Sequence, residues 1–314
     1  MESTNFNELA AELKTIKDWQ RYAVTEMNMA EVYFGHGAAD AWQEANLLLA
    51  TVTALDFHEL AEVGDCRLSS FEKQRFWQLL QKRIDQRIPA SYLTNQAWFA
   101  GLPFYVDERV LVPRSPIAEL IERQFEPWLA HNPQRILDLC TGSGCIAIAC
   151  AYAFPEAEVD ALDISADALA VCEKNIENHG MQHQVTPIQS DLFAGVPGQR
   201  YDIIVTNPPY VDAEDMADLP AEYLHEPELG LAAGGDGLDL VRTILRQAPE
   251  HLNDNGILIC EVGNSKVHMQ SLWPQVPFTW LEFERGGEGV FMMTKAQLQE
   301  YANVLASAQP TVAK

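Results

Sequence analysis

The sequence predicts an α/β protein, with a doubly wound sheet of seven strands and a smaller helical domain at the N-terminus. From residue 117 onward, short apolar segments typical of strands alternate with longer helical patterns. Residues 1–90 lack this alternation, and their apolar residues recur at helical spacing. A glycine-containing turn directly after the first predicted strand of the sheet is a third feature typical of such folds.

The N-terminal region is predicted to contain three helices, over residues 7–29, 42–55 and 71–88. Ser69 and Ser70 are candidate N-caps of the third helix, and Pro89 ends it. This helix carries the one locally basic region, which we interpret as a solvated helix face. We predict a helical domain over 1–95, a β-hairpin connector over 96–116 and the α/β domain over 117–314.

The α/β domain is predicted from its alternating pattern, with seven strands and four helices between them. The strands are predicted at 135–139, 158–163, 184–189, 201–206, 256–262, 278–284 and 290–294. The helices are predicted at 117–129, 145–153, 166–179 and 238–251.

The composition, 47% hydrophobic and 21% charged, is that of a globular protein. No apolar run reaches the roughly 18 residues that a membrane helix requires, and the first residues are polar and acidic rather than signal-like. A cytoplasmic location is therefore expected. The six cysteines include no Cys-x-x-Cys pair, so we predict no metal site and interpret the cysteines as core residues.

The formal net charge is −24. Proteins that bind duplex DNA normally carry basic surfaces that release counterions from phosphates, so we expect no DNA partner. An acidic protein attracts basic proteins. A role of the negative charge in solubility alone explains the value equally well.

The first motif runs from Asp138 to Gly144, where a buried strand ends in a turn and a helix begins. Gly142 and Gly144 permit tight dihedral angles and let a ligand approach the backbone closely. Dinucleotide-binding folds and plain turns share this pattern, so the motif alone is weak.

Two further acidic residues end the next two strands. Asp163 can accept hydrogen bonds from both hydroxyls of a ribose bound across the strand ends. The alternative is that Asp163 is a carboxylate at the start of a helix, since Ser165 is a candidate cap. Asp191 can accept a hydrogen bond from an adenine amine while Leu192 packs on the ring. A capped turn is the simpler interpretation of Asp191.

The most specific motif is Asn207-Pro208-Pro209-Tyr210, directly after a buried strand. Because proline has no N–H group, the segment cannot continue as a central strand, and its carbonyls become acceptors in a fixed geometry. A planar NH2 group can donate one hydrogen to the Asn207 side-chain oxygen and the other to the Pro208 carbonyl. Tyr210 supplies an aromatic wall, so the motif indicates chemistry on a planar nitrogen.

Together these motifs resemble those of class I S-adenosylmethionine-dependent methyltransferases, and the Asn-Pro-Pro-Tyr motif resembles that of enzymes methylating amino or amide nitrogens. The resemblance implies a Rossmann-like class I methyltransferase fold, S-adenosyl-L-methionine as cofactor, and Asn207, Pro208, Pro209 and Tyr210 as catalytic residues. The cofactor-binding residues that it implies are Asp138, Cys140, Thr141, Gly142, Ser143, Gly144, Asp163, Ile164, Asp191, Leu192 and Asn207.

The resemblance extends over nearly the whole chain to the protein glutamine methyltransferases. It is carried by residues 87–93, by Val112-Pro113-Arg114, by Glu226-Pro227 and by Gly235-Asp236-Gly237-Leu238. Ser115-Pro116 and Cys140 depart from the pattern of the enzymes that modify release factors and resemble the subgroup acting on large-subunit ribosomal protein L-three. Leu224 stands where relatives often have arginine, and Leu192 where some have tryptophan.

The resemblance implies methylation of a glutamine side-chain amide in that ribosomal protein, a basic substrate, with no DNA or membrane partner. It also implies that the helical domain over 1–95 is a substrate-recognition domain. Three alternatives remain open: glutamine methylation of release factors, DNA amino methylation, and a non-catalytic ribosome-assembly factor that retains the fold. The oligomeric state and the modified glutamine cannot be read from the sequence.

Overall fold

The computed structural model describes residues 6–129 and 131–307, which form two compact units. The first unit comprises residues 1–96 together with residues 220–225, and the second comprises 97–219 and 226–314. The boundary between the two units at residue 96 lies one residue from the predicted end of the helical domain at 95. The inclusion of residues 220–225 in the first unit was not predicted from the sequence. Among the described residues, no helix is long and apolar enough to cross a membrane.

The first unit is helical, as predicted. Its helices are α1 (Phe6–Glu12), α2 (Ile16–Met29), α3 (Ala41–Thr53), α4 (Phe57–Glu62), α5 (Ser70–Asp85) and α6 (Ala90–Thr94). They bury a common core that includes Trp19, Met27, Leu48 and Phe76.

The prediction of a single helix over 7–29 was wrong, because the chain breaks between α1 and α2. Thr15 is the N-cap of α2: its side chain accepts from the Asp18 N–H, and the Asp18 carboxylate accepts from the Thr15 N–H. Such a capping box satisfies backbone donors that a continuous helix would have used otherwise. The Thr-x-x-Asp pattern that produces it is visible in the sequence.

The interpretation of the basic helix, now α5, as a solvated face was also wrong for two of its residues. The Lys73 Nζ donates to the carbonyls of Ala10 and Leu13 at the end of α1. Arg83 is fully buried, where it pairs with the carboxylates of Glu44 and Glu222. These charges therefore stabilise the first unit itself.

The second unit begins with an antiparallel hairpin, β1 (Ala97–Phe99) and β2 (Leu102–Phe104), inside the predicted connector. A sheet of seven strands follows, as predicted, in the order β5-β4-β3-β6-β7-β9-β8. The strands are β3 (Arg135–Leu139), β4 (Glu158–Asp163), β5 (Val185–Gln189), β6 (Tyr201–Thr206), β7 (Leu252–Glu261), β8 (Thr279–Trp280) and β9 (Val290–Thr294). Strands β3 to β7 pair in parallel, and β9 is antiparallel to both of its neighbours.

Helices cover both faces of this sheet and enclose two hydrophobic clusters. The helices are α7 (Ile117–Glu122), α8 (Cys145–Ala153), α9 (Ala166–His179), α10 (Ala213–Ala217), α11 (Asp239–His251), α12 (Lys266–Leu272), α13 (Lys295–Glu300) and α14 (Ala302–Ser307). The sequence prediction missed α4, α6, α10 and the helices after β7, all of which are short.

Two predicted elements are shorter than expected. The helix predicted over 117–129 ends at Glu122, because Gln124 and Phe125 adopt positive φ angles of 52° and 56° and the turn buries the Phe125 ring. The strand predicted over 278–284 is formed only at Thr279 and Trp280, with one further hydrogen bond to β9 from the Leu281 N–H to the Val290 carbonyl. Beyond them, the N–H groups of Glu284 and Arg285 donate to the Glu119 carboxylate instead of to a strand.

The cysteines were predicted to be core residues. Cys145, Cys150, Cys172 and Cys260 are buried. Cys140 is half-buried in the turn after β3 and packs against one of the two core clusters. Cys66 is exposed, so the prediction was wrong for this residue.

Candidate active site

The candidate site lies at the carboxyl ends of the parallel strands β3, β4 and β6. The chain fills the positions on one side of β3 with β4 and β5 and then crosses to the other side with β6. The strand order reverses between β3 and β6, and ligands of open α/β sheets bind in the crevice at such a point. The turn after β3 and the Asn207 motif after β6 both lie at this edge.

The turn after β3 contains three residues with positive φ, Cys140 at 60°, Gly142 at 54° and Gly144 at 80°. The two glycines serve different purposes. A Cβ on Gly142 would have open space before it, so its backbone faces a region that a ligand can occupy. A Cβ on Gly144 would lie 2.6 Å from Cys172 Sγ, so Gly144 permits close packing of α8 against α9.

Asp138, on β3, is fully buried. Its Oδ2 accepts from Thr141 Oγ1 at 2.6 Å and from the Ala147 N–H at 3.1 Å. Its Oδ1 has no hydrogen-bond partner within the described part of the chain. Burial raises the pKa of Asp138 to about 7, against the effect of these two hydrogen bonds. A buried acceptor without a donor is costly, so Asp138 is a strong candidate for contact with a ligand.

Asp163, at the end of β4, faces the same turn. Its Oδ2 accepts from the Gly142 N–H and its Oδ1 from the Ser165 N–H, both at 2.9 Å. Each oxygen keeps a lone pair for a further donor. Burial raises the pKa of the Asp163 carboxyl. Ser165 is the N-cap of α9. Asp163 therefore supports the start of a helix and still offers lone pairs to a ligand. The adjacent Ile164 side chain is half-exposed.

Asp191 follows β5 and its side chain is exposed. It makes no side-chain capping hydrogen bond, so the capped turn expected from Asp191 was wrong. Ser190 shapes this loop instead, because its hydroxyl donates to the Leu192 carbonyl and accepts from the Gly195 N–H. Leu192 has a positive φ of 46° and its side chain is buried.

Asn207 follows β6, whose residues are all buried. Thr206, the last residue of β6, donates from its hydroxyl to the Leu139 carbonyl at 2.8 Å and so ties the two strand ends together. The Asn207 Oδ1 atom is buried and has no hydrogen-bond partner among the described residues. Asp138 and Asn207 thus each present an unsatisfied oxygen at neighbouring strand ends.

Tyr210 is held by Gly237, from a motif noted in the sequence, and by three residues that sequence reasoning did not single out. Its hydroxyl donates to Glu261 Oε1 at 3.1 Å, and its carbonyl accepts from Ser265 Oγ at 2.8 Å. A Cβ on Gly263 would lie 2.5 Å from the Tyr210 ring, and one on Gly237 would lie 2.2 Å from the Tyr210 carbonyl oxygen. The signal available for Glu261 was a carboxylate at the end of a buried strand, as for Asp138 and Asp163.

The motifs at 112–114 and 226–227 meet in an ion pair. The Arg114 guanidinium donates to both oxygens of Glu226, at 2.6 and 2.7 Å, and Glu226 also accepts from the Val112 N–H. Bidentate pairs of this kind fix geometry as well as adding energy. Leu224 is 79% exposed.

A search for metal ligands gives no candidate among residues 6–129 and 131–307, where no group of three or more His, Cys, Asp or Glu side chains is arranged to hold an ion.

Comparison with known proteins identifies similar chains. A family model described as methyltransferase small domain matches residues 123–237, and one described as PrmC N-terminal domain matches residues 32–94. A protein of Xanthomonas campestris pv. campestris named ribosomal protein uL3 glutamine methyltransferase is 52% identical over 293 residues, covering 92% of this chain and 94% of that protein. The protein of the same name from Francisella tularensis subsp. tularensis is 46% identical over 292 residues, covering 92% and 93%.

Among solved structures, a methyltransferase from Pyrococcus furiosus is 18% identical to this chain. It covers 62% of this chain and 89% of its own, with a TM-score of 0.46.

Proposed function

The chain belongs to the ribosomal protein uL3 glutamine methyltransferases, and we propose that it transfers a methyl group from S-adenosyl-L-methionine to the side-chain amide nitrogen of a glutamine in uL3. The membership rests on relatives about half identical over nearly the whole chain. It confirms the family predicted from the sequence motifs. It also makes the chain an enzyme of the methyltransferase class.

The residues at the ends of β3 and β4 fit this cofactor. Asp138 Oδ1 is a buried acceptor without a donor, and it suits the positively charged amino group of the methionine moiety. Asp163 has lone pairs for the ribose hydroxyls, and Gly142 leaves its backbone open to approach. In this proposal Asp191, Ile164 and Leu192 border the adenine. When bound, the cofactor supplies a methyl group on a sulfonium, which is already a strong electrophile.

The observation that carries the reaction is the buried, unpartnered Oδ1 of Asn207. A glutamine amide has two N–H donors in one plane, and we assign one to Asn207 Oδ1 and the other to the Pro208 carbonyl. Tyr210 and Pro209 shape the pocket for the planar group. The arrangement holds the amide nitrogen in line with the methyl group, so catalysis comes mainly from positioning.

An amide nitrogen is a weak nucleophile because its lone pair is delocalised into the carbonyl. Acceptors on both N–H groups stabilise the positive charge that develops on nitrogen as the N–C bond forms and the S–C bond breaks. The sulfur would keep the electron pair of the S–C bond and become a neutral thioether, one N–H proton would pass to solvent water, and the product is the N-methyl amide. No strong general base is required before transfer.

The acidic charge supports a basic protein substrate. Ribosomal proteins are basic, and a chain with net charge −24 attracts them at long range while it repels DNA. The names of the relatives favour uL3 over a release factor, and the net charge disfavours DNA. The substrate that we propose is therefore uL3, with a role in the cytoplasm during ribosome biogenesis. We propose that the helical first unit recognises the substrate.

The test uses methyl-labelled S-adenosylmethionine with unmethylated uL3, unmethylated release factor and duplex DNA in parallel reactions. We expect label on uL3 alone, located by mass spectrometry on a glutamine. Label on release factor alone would overturn the substrate and retain the chemistry. Label on DNA would overturn both the substrate class and the charge argument. Absence of label on every substrate would favour the non-catalytic alternative.

A further inference from the structure

Glu261 is a buried carboxylate next to the proposed substrate pocket with no role in the proposed reaction so far. It is the last residue of β7, which pairs with β6 so that Cys260 lies opposite Thr206. In this register Glu261 lies at the level of Asn207. Its side chain is only about 5% exposed.

The hydrogen bonds of Glu261 come from hydroxyl groups. Oε1 accepts from Tyr210 Oη at 3.1 Å, and Oε2 accepts from Ser115 Oγ at 2.5 Å. The Ser115 oxygen in turn accepts from the Ile117 N–H at 3.2 Å, which directs the Ser115 hydroxyl hydrogen toward Glu261. Both carboxylate oxygens are thereby fixed in place.

Burying a carboxylate is costly, and two neutral hydroxyls with the charge of Arg114 nearby offset that cost less than a directly hydrogen-bonded arginine would. A structural role alone would be filled more stably by an apolar residue of similar volume. The position of the carboxylate, one hydrogen bond from the wall of the pocket, therefore points to a role in the reaction.

The Tyr210 ring is restrained on its other sides. Gly263 leaves room for one edge of the ring, and Ser265 and Gly237 fix the Tyr210 backbone carbonyl. The hydroxyl bond to Glu261 holds the far end of the ring, at a point that the backbone contacts do not reach.

We propose that Glu261 is a positioning residue for methyl transfer: it holds the Tyr210 ring in the orientation against which the substrate amide lies, while Ser115 holds the Glu261 carboxylate. This inference rests on the proposed function. It assigns a task to a residue 51 positions after Tyr210 and 146 after Ser115. The expected contribution is to kcat, because a misplaced ring disturbs the alignment of nitrogen and methyl group more than it disturbs cofactor binding.

The experiment is a double-mutant cycle in the full-length protein, with kcat and KM measured for methylation of uL3 and Kd for S-adenosylmethionine. The variants are Tyr210→Phe, Glu261→Met, the Glu261→Met/Tyr210→Phe double variant, and Glu261→Gln. Met removes both hydrogen bonds at similar volume, whereas Gln keeps an acceptor for Tyr210 and a donor that Ser115 can accept.

We expect kcat to fall about tenfold in Tyr210→Phe and in Glu261→Met, the size expected for a hydrogen bond to a charged group. The double variant should fall no further than the lower single variant, because the two residues form one unit. Glu261→Gln should stay within about threefold of the wild type, and Kd for the cofactor within about twofold in all variants.

Losses that multiply in the double variant, or a wild-type kcat in Glu261→Met, would overturn the inference. If Glu261→Met does not fold, Ser115→Ala replaces it in the cycle. Ser115→Ala should lower kcat in the wild-type background and have no further effect in the Tyr210→Phe background. A loss of kcat that persists in the Tyr210→Phe background overturns the inference. A wild-type protein that transfers no methyl group to uL3 or any other substrate overturns the proposed function and this inference together. Transfer by the wild type without the predicted coupling overturns this inference only.

Discussion

Asn207 places a buried oxygen without a donor at the end of β6, beside the crevice that the strand order creates. In the proposed reaction this oxygen holds one N–H of the substrate amide. The motif that contains it was readable from the sequence because four adjacent residues carry it. The residues that orient Tyr210 were not readable, because Ser115 and Glu261 are brought together only by the sheet.

Asn207→Ala should lower kcat by roughly a hundredfold or more, as expected for the loss of a polar contact that stabilises developing charge. The Kd for S-adenosylmethionine should stay within about twofold of the wild type, since the contacts at β3 and β4 remain. Single-turnover methylation and calorimetric titration with the cofactor measure the two quantities. A Kd that rises in proportion to the loss of kcat would contradict the assignment of Asn207 to the substrate.

The raised pKa of Asp138 predicts that cofactor binding depends on pH. Burial raises the pKa of its carboxyl to about 7, and nearby Asp163 acts in the same direction. The cofactor's amino group prefers the ionised carboxylate, so affinity should be highest above pH 7 and should fall as the pH drops through 7 and Asp138 binds a proton. Well below pH 7 the Kd should rise about tenfold per pH unit.

Titration with S-adenosylmethionine between pH 7.5 and 5.5 measures this dependence, in a range where the cofactor's own amino group only becomes more fully protonated. Asp138→Asn is the matched control and should bind weakly with little change over the same range. A wild-type Kd independent of pH, or the same slope in Asp138→Asn, would contradict the proposed contact.

At the scale of elements, the secondary structure departs from the pattern of apolar residues mainly at helix ends, where capping interactions set the boundaries. The capping box at Thr15 splits one apolar pattern into α1 and α2, and α5 begins with a similar box at Ser69. The end of α3 is less favourable, because Ala54 adopts the left-handed conformation with φ of 56° and ψ of 32°. This conformation is strained for a residue with a Cβ.

Ala54→Gly should therefore stabilise the protein, because glycine adopts this C-cap conformation without strain and the exposed Ala54 side chain contributes little packing. We expect the free energy of unfolding to rise by about 1 kcal/mol. Chemical denaturation of the two proteins measures the difference.

Ala50→Gly is the matched control, since it makes the same substitution inside α3 and should destabilise by about 1 kcal/mol. Equal destabilisation by both substitutions would show that strain at Ala54 is not the dominant effect.

At the scale of the whole molecule, the chain does not divide at one point. Residues 220–225 belong to the first unit, although the chain on both sides of them belongs to the second. Glu222 in this segment accepts from Arg83 Nη1 at 3.0 Å and from the Tyr33 N–H at 3.1 Å. Arg83 also donates to both oxygens of Glu44, at 2.6 and 3.1 Å. One buried guanidinium thus serves two buried carboxylates.

Arg83→Met should destabilise the protein by about 3–5 kcal/mol, because it leaves the buried Glu44 carboxylate without its cation and leaves Glu222 only the more exposed Arg87, at 3.5 Å. Glu222→Gln is the milder comparison, with an expected cost of about 1–2 kcal/mol, since Arg83 keeps Glu44 and the amide oxygen can still accept. Thermal unfolding of both variants measures the ranking. A larger loss in Glu222→Gln than in Arg83→Met would contradict this description of the cluster.

The sequence by itself determined the class of fold and the motifs of the candidate site. Alternating patterns predicted the strands from β3 to β7. Residues adjacent in the chain predicted the glycine turn beside Asp138 and the segment from Asn207 to Tyr210. Both kinds of prediction succeed because local periodicity and turn chemistry are encoded within a few residues. The same information predicted the family, which the relatives confirm.

Only the tertiary structure decided which distant side chains meet. Three features depend on partners 50 or more residues apart in the sequence. They are the hydrogen bonds that join Ser115, Glu261 and Tyr210, the pairing of Arg83 with Glu222, and the early end of the strand predicted over 278–284. Such contacts are selected by the burial and hydrogen-bond satisfaction of the folded molecule, and no pattern within a short window of sequence contains them. For this reason the residues that hold Tyr210 emerge from the structure, although Tyr210 itself was named by its motif.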